Sequence, residues 1–191
     1  MSLYKSEYLR NLSSRYTINE NFTQRLSSRY DSEFDIFLSH SFLDREEVKG
    51  LYIELTNMGY SVYVDWIIDS HLDRNNVTKQ TAELIKNRLK SSKTLLLAIS
   101  TNSELSKWMP WELGYVDGNT DKCAIIPISR DNRDLEYFQR REYLLLYPFV
   151  KKRKNMRNEE KLWIIEDSDV YVVFEEWKEG LKPYKRDSLI F

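Results

Sequence analysis

From Phe34 onward, short apolar segments rich in β-branched and aromatic residues alternate with segments of helical spacing, and this alternation restricts the fold more than any other feature. Strands separated by helices cannot close as hairpins. They pair in parallel through right-handed crossovers, with helices covering the sheet. Phe34 to Ser39 reads as the first strand, followed by a helix from Leu43 to Met58 through Val48, Leu51, Tyr52 and Leu55, with Gly59 as its C-terminal cap. Ser61 to Trp66 reads as the second strand, Ile67 to Val77 as an Asp/Asn-rich loop, and Lys79 to Lys90 as a helix with Ala82, Ile85 and Leu89 on one side. Thr94 to Ser100 is the most continuously apolar run and therefore central; Cys123 to Ser129 is the fourth strand. Leu162 to Glu166 and Val170 to Phe174 are late candidates, of which the main sheet needs only one. The expected architecture is α/β: a five-stranded parallel sheet in a doubly wound, flavodoxin-like order.

Residues 1 to 33 differ in character. They are polar, contain Leu-Ser-Ser-Arg-Tyr at both 12–16 and 26–30, and repeat Tyr, Leu and Phe mostly in steps of four. This predicts an N-terminal extension of short amphipathic helices packed on a main domain that spans 34–191, the other reading being a partner or oligomer surface. At 191 residues with four prolines and five glycines, one compact core is expected. The net charge of -1 argues against broad capture of nucleic acid, although charged residues make up 31% of the chain. Cys123 is the single cysteine, which excludes an intrachain disulfide or thiolate cluster, and because it opens an apolar strand it reads as core filler rather than nucleophile; His40 has no second histidine nearby to suggest a metal, and His71 lies in the polar loop as a surface residue. Neither an apolar signal core nor a membrane span is visible, so the expected location is cytoplasmic.

In open parallel sheets ligands bind beyond the carboxyl ends of the strands. The residues delivered there are Ser39, His40, Ser41 and Asp44 after the first strand, Asp65 and Trp66 at the end of the second, and the segment after Ser100. That segment contains Ser106-Lys107-Trp108-Met109-Pro110-Trp111-Glu112-Leu113-Gly114-Tyr115. Pro110 belongs in a first helical turn, which places a helix start near Ser106, with Trp108 and Glu112 on one face and Trp111 and Tyr115 on the next. The basic run Lys151-Lys152-Arg153-Lys154 is followed by Glu159, Glu160, Asp167 and Asp169, and reads as a solvated loop or helix face. Tyr143, Tyr147 and Phe149 before it are expected to pack a C-terminal helix.

Three of these segments, in order, resemble a known family. Phe34-Asp35-Ile36-Phe37-Leu38-Ser39-His40-Ser41 is similar to the first strand and loop of Toll/interleukin-1 receptor (TIR) domains. Ser61-Val62-Tyr63-Val64-Asp65 is similar to their second strand, which leads into the variable BB loop. Ser106 to Leu113 resembles the family's Ser-x-Trp-x-x-x-Glu-Leu signature, whose glutamate is catalytic in NAD-cleaving members; Met109 stands where many members carry cysteine. The resemblance is strongest over roughly residues 33 to 130.

The resemblance implies a TIR fold and cleavage of NAD+ at the nicotinamide glycosidic bond, with NAD+ as substrate and no further cofactor or metal. Glu112 would be the catalytic carboxylate, stabilising an oxocarbenium-like ribose and binding its hydroxyls. Trp108 would stack on nicotinamide or adenine, Asp65 would contact a ribose hydroxyl, and Ser39, His40 and Ser41 would donate to the diphosphate. A stand-alone domain of this kind resembles the bacterial antiphage type, in which, as in Thoeris, the TIR protein makes a cyclic or conjugated ADP-ribose signal for a separate effector. TIR sites are also often completed by self-association. The competing expectations are a non-enzymatic TIR adaptor acting through the loop Ile67 to Val77, and a nucleoside-processing transferase of similar architecture.

Overall fold

The computed structural model describes residues 4–18, 33–70, 78–130 and 142–185. Five strands form the parallel part of the sheet: β2 (Phe34–His40), β3 (Val62–Tyr63), β4 (Ser92–Ile99), β5 (Cys123–Ser129) and β6 (Phe149–Lys154). They run β3-β2-β4-β5-β6, the flavodoxin-like order, and register sets Ile36 beside both Val62 and Thr94, and Leu97 beside Ser39 and Ile125. β4 and β5 are buried along nearly their whole length, as expected of central strands covered on both faces.

The sheet then continues, which corrects the expectation of five strands. β7 (Glu160–Ile165), β8 (Val170–Val173) and β9 (Tyr184–Lys185) extend it as an antiparallel wing, so both late candidates join the sheet. The connections 155–159 and 166–169 are too short for a crossover and close as hairpins. The first turns on Asn155, whose side-chain oxygen accepts from the N–H of Arg157 (2.9 Å) and Glu159 (3.0 Å), and on Asn158 at φ 63°. Asparagine tolerates that left-handed conformation better than most residues. The basic run 151–154 is likewise corrected: it belongs to β6 rather than to a loop or helix face, with Val150 buried inward and Lys152 ion-paired to Glu54. Phe149 opens that strand, and the last helix among the described residues is one short turn, Phe174–Lys178.

Helix boundaries follow local chemistry. The helix Arg45–Asn57 ends with Gly59 at φ 93°, whose N–H reaches Thr56 O (3.0 Å) while Tyr60 N–H reaches Leu55 O (3.2 Å). This is a Schellman termination, which requires the left-handed glycine. Thr78 caps Lys79–Lys90 by accepting from Thr81 N–H at 3.1 Å, and Arg88 and Lys90 occupy the last turn, where the helix dipole favours cations. The second strand is shorter than expected: Val62–Tyr63 give way to a helical turn, Asp65–Ile68, so Asp65 opens a helix instead of ending a strand. Just after that turn, Asp69 receives Arg88 on both oxygens (2.9 and 3.0 Å) and the Tyr63 hydroxyl (3.0 Å), all three residues being buried. A buried guanidinium is tolerated only with such pairing.

The N-terminal segment is built into this layer structure. β1 (Tyr4–Lys5) pairs in parallel with Ile128 and Ser129 at the carboxyl end of β5, and the helix Ser6–Arg15 lies against Arg45–Asn57. The two helices touch backbone to backbone, since a β-carbon on Gly50 would stand 2.0 Å from the Leu9 carbonyl oxygen. Ser6 (2.6 Å) and Arg10 (2.8 Å) donate to Glu47, Ser13 donates to Glu46 (2.8 Å), and Tyr8 donates to Glu54. The helix packed on the domain is therefore present at 6–15; the second Leu-Ser-Ser-Arg-Tyr copy, at 26–30, lies outside the described residues. Among the described residues no helix is long and apolar enough to cross a membrane.

Candidate active site at the carboxyl rim of the sheet

The helix Trp108–Thr120 follows β4 after a short 3-10 turn, Ser103–Leu105. It begins at Trp108, slightly later than expected, and Ser106 Oγ accepts the Met109 N–H at 3.3 Å. Pro110 falls in the first turn, where no helical hydrogen bond needs its missing N–H. From this start Glu112 projects inward and is fully buried, and Ser39 at the end of β2 donates its hydroxyl to Glu112 Oε2 at 2.6 Å. This short charge-assisted contact joins residues 73 positions apart and fixes the carboxylate over the ends of the two central strands.

The neighbouring residues are engaged differently. His40 Nε2 accepts the indole N–H of Trp66 at 3.0 Å, which leaves Nδ1 to donate to Leu38 O at 2.9 Å and assigns the neutral Nδ1–H tautomer. Asp65 Oδ1 lies 3.5 Å from His40 Nε2. His40 and Asp65 therefore come together with Trp66 rather than with Glu112. Ser41 is buried, and its backbone oxygen accepts from Asp44 N–H at 3.0 Å. Trp108 is partly buried against the core, with its ring edge-to-face to Trp111 (5.4 Å, 83°), and Trp111 in turn stacks on Tyr115 (6.0 Å, 28°). The Trp108–Trp111–Tyr115 ladder leads outward to Trp111, which is 36% exposed.

Two further features of the rim escape sequence reasoning. Asp44 does not cap the helix after it; it accepts Ser100 Oγ–H (2.5 Å) and Asn102 Nδ2–H (2.7 Å), while Ser103 Oγ accepts Ser100 N–H (2.9 Å). This ties the loop after β2 to the loop after β4, which carries the Glu112 helix. Arg45 places its guanidinium 4.4 Å from the Trp66 ring centroid and 5.0 Å from that of Phe42, a cation held against two aromatics beside the loop after β2. The local sequence signal for it is limited to the neighbouring apolar pair Phe42-Leu43. Cys123 behaves as expected of core: it is buried, and burial, with Asp117 and Asp121 nearby, pushes its thiol up to about 12. No group of three or more His, Cys, Asp or Glu side chains among the described residues is arranged to hold a metal ion.

The rim thus combines a sheet in this order with a buried glutamate that a Trp-containing helix delivers to the end of β2. A family model described as "TIR domain" matches residues 36–162. The chain belongs to the TIR domain family. The match runs from within β2 to the middle of β7, the first strand of the antiparallel wing, and so reaches beyond the segment where the motif resemblance was strongest. The TIR protein is 45% identical over 161 residues to the "Probable 3' cyclic ADP-D-ribose synthase ThsB'" of Bacillus cereus (strain MSX-D12), covering 83% of each chain. It is 30% identical over 115 residues to the "Putative cyclic ADP-D-ribose synthase TIR2" of Cytobacillus dafuensis, covering 58% of this chain and 30% of that one.

Proposed function

We propose that this TIR protein cleaves NAD+ at the nicotinamide glycosidic bond and closes the remaining ADP-ribose into a cyclic signal used in antiphage defence. The reading rests on the 2.6 Å contact between Ser39 and Glu112 at the carboxyl rim, and it is supported by the 45% identity to a protein named as a cyclic ADP-ribose synthase.

The chemistry asks little of the protein in acid or base catalysis. The C–N bond breaks heterolytically, nicotinamide leaves neutral with the bonding pair, and positive charge develops on the ribose. Glu112 faces that charge, and Ser39 keeps the carboxylate in place while it does so. Preorganised electrostatics of this kind needs no reorganisation when charge appears. A hydroxyl of the same molecule then attacks the anomeric carbon and loses its proton, giving the cyclic product. Water in that role would give linear ADP-ribose.

Because Glu112 has no exposed surface, substrate meets it only when the covering groups move apart. The Asp44–Ser100–Asn102 links between the loops after β2 and β4 are joints available for that movement, and Arg45, held against Trp66 and Phe42, is a cation on the same rim for a diphosphate. On this reading self-association through TIR surfaces opens or completes the site, with the exposed Phe42, Leu43 and Leu105 at the rim as apolar contacts, and the product acts on a separate effector protein. The deciding experiment is product mass spectrometry on NAD+ incubated at assembling protein concentrations with wild type and Glu112→Gln. Nicotinamide and a cyclic ADP-ribose mass are expected from wild type alone; nicotinamide release at a wild-type rate from Glu112→Gln overturns the assignment.

A further inference from the structure

The antiparallel wing carries a cleft whose chemistry is distinct from that of the rim. In β6, β7 and β8 the inward residues Val150, Leu162, Ile164 and Val172 are buried, so the alternate residues face outward. Register places Lys151 opposite Trp163, and Ile165 opposite Tyr171. On that outer face lies a cleft of about 220 Å³, lined chiefly by Lys151, Arg153, Lys154, Trp163, Ser168 and Tyr171. Trp163 and Tyr171 meet edge-to-face at 5.7 Å, and the Trp163 indole N–H is already committed to Arg153 O at 3.3 Å. The cleft therefore offers an aromatic wall and a cationic wall side by side.

The cations set the sign of the ligand. Lys152 on the opposite face is ion-paired with Glu54 and Glu160, and Lys161 with Glu175 at 3.0 Å. Among the described residues no carboxylate lies within ion-pair distance of Lys151, Arg153 or Lys154. Burial, with Arg153 beside it, holds Lys151 below the usual lysine range, so an anion in the cleft would relieve a standing repulsion. The size of the cleft limits what that anion is. Its volume lies below the roughly 300–1,000 Å³ of sites for drug-sized ligands, which suits one ring and its phosphates. A polymer track is disfavoured by the acids that flank the cleft, Glu159, Glu166, Asp167 and Asp169, and by the net charge of -1.

We propose that the outer face of the β6–β7–β8 wing binds a single nucleoside phosphate, with its base against Trp163 and Tyr171 and its phosphates at Lys151 and Arg153. The site is separate from the rim that holds Glu112 and does not depend on the reaction proposed there. It is tested by calorimetric titration of the full chain with ADP, adenosine, inorganic pyrophosphate and a short oligothymidylate, together with tryptophan fluorescence. ADP is expected to bind at least tenfold tighter than adenosine or pyrophosphate. Lys151→Ala combined with Arg153→Ala is expected to weaken ADP at least tenfold without lowering Tm, and Trp163→Phe to abolish the fluorescence change. Glu112→Gln should retain ADP binding, so failure of the NAD+ reading would leave this result intact. ADP affinity unchanged in the double variant places ADP elsewhere and overturns the proposal. Pyrophosphate binding as tightly as ADP, or oligothymidylate binding more tightly than ADP, overturns it as well.

Discussion

Replacing Gly50 by alanine sets a methyl carbon 2.0 Å from the Leu9 carbonyl oxygen and 2.6 Å from the Leu9 carbonyl carbon. Both are backbone atoms, so no side-chain rotation relieves the overlap. Reaching ordinary contact at 3.4 Å requires the helix Ser6–Arg15 to retreat by roughly 1.4 Å. That retreat takes the Ser6–Glu47 and Ser13–Glu46 contacts, at 2.6 and 2.8 Å, out of hydrogen-bond range and leaves the buried Glu47 undersatisfied. A hydrogen bond to a buried charge contributes about 1.5–3 kcal/mol, and partial re-exposure of the fully buried Leu9 adds about 1–2 kcal/mol; the half-exposed Arg10 adds little. The sum is about 2.5–5 kcal/mol, or a fall in Tm of roughly 5–20 °C for a chain of this length. Differential scanning calorimetry measures it, and limited trypsin digestion should show earlier cleavage at Arg10 and Arg15. Gly118 is the internal control: it is also helical but has nothing within 4 Å of its would-be β-carbon, so Gly118→Ala gains up to about 1 kcal/mol of helix propensity. If Gly50→Ala melts within 2 °C of wild type, the close helix crossing is wrong.

Ser39→Ala removes the donor to Glu112 with little change in volume; nicotinamide release, assayed well below the melting range, is expected to fall about 10- to 100-fold, and losing a hydrogen bond to a buried carboxylate should cost about 1.5–3 kcal/mol, roughly 3–12 °C in Tm. Arg88→Met strips both guanidinium hydrogen bonds from the buried Asp69 carboxylate, and urea unfolding should show a loss of about 3–5 kcal/mol. Glu47 titrates below the usual glutamate range, because hydrogen bonds from Ser6 and Arg10 outweigh the burial that opposes ionisation; Asp35 is likewise lowered despite burial, by Lys178 and Ser61. A carboxylate depressed in the folded state adds stability above its unfolded pKa, near 4, and that contribution is lost as pH falls through the lower folded value. Tm should therefore drop below about pH 4, and Glu47→Gln should flatten this acid limb. With its thiol near 12, Cys123 is about one part in 10⁴ thiolate at pH 8, so iodoacetamide should label the unfolded chain and spare the native one.

The parallel core was legible because each of its elements carries its own signal. Cys123–Ser129 is an unbroken apolar run, Lys79–Lys90 has a threonine cap and a one-sided apolar stripe, and Gly59 marks a left-handed stop. β6 was not legible, because Lys151–Lys154 presents charge at every position and the partners that settle Lys152, namely Glu54 and Glu160, lie on other elements. Glu112 was recognisable from its aromatic setting and its place after β4. His40 was less so: both ring nitrogens are committed, to Leu38 O and to Trp66, and only the fold reveals that Trp66 turns back toward β2. Asp44 illustrates the same limit, since a helix cap and a tie to Ser100 and Asn102 require the same residue at the same place.

A glutamate with no exposed surface also sets the default state of the enzyme. NAD+ is a molecule a living cell cannot afford to drain, and a closed resting conformation holds turnover to the fraction of time the site stands open. Raising that fraction from 1% to 99% takes about 5.5 kcal/mol of preferential binding to the open form. The trigger of the defence response therefore need not touch the substrate at all; it has only to hold open a door that the fold keeps shut.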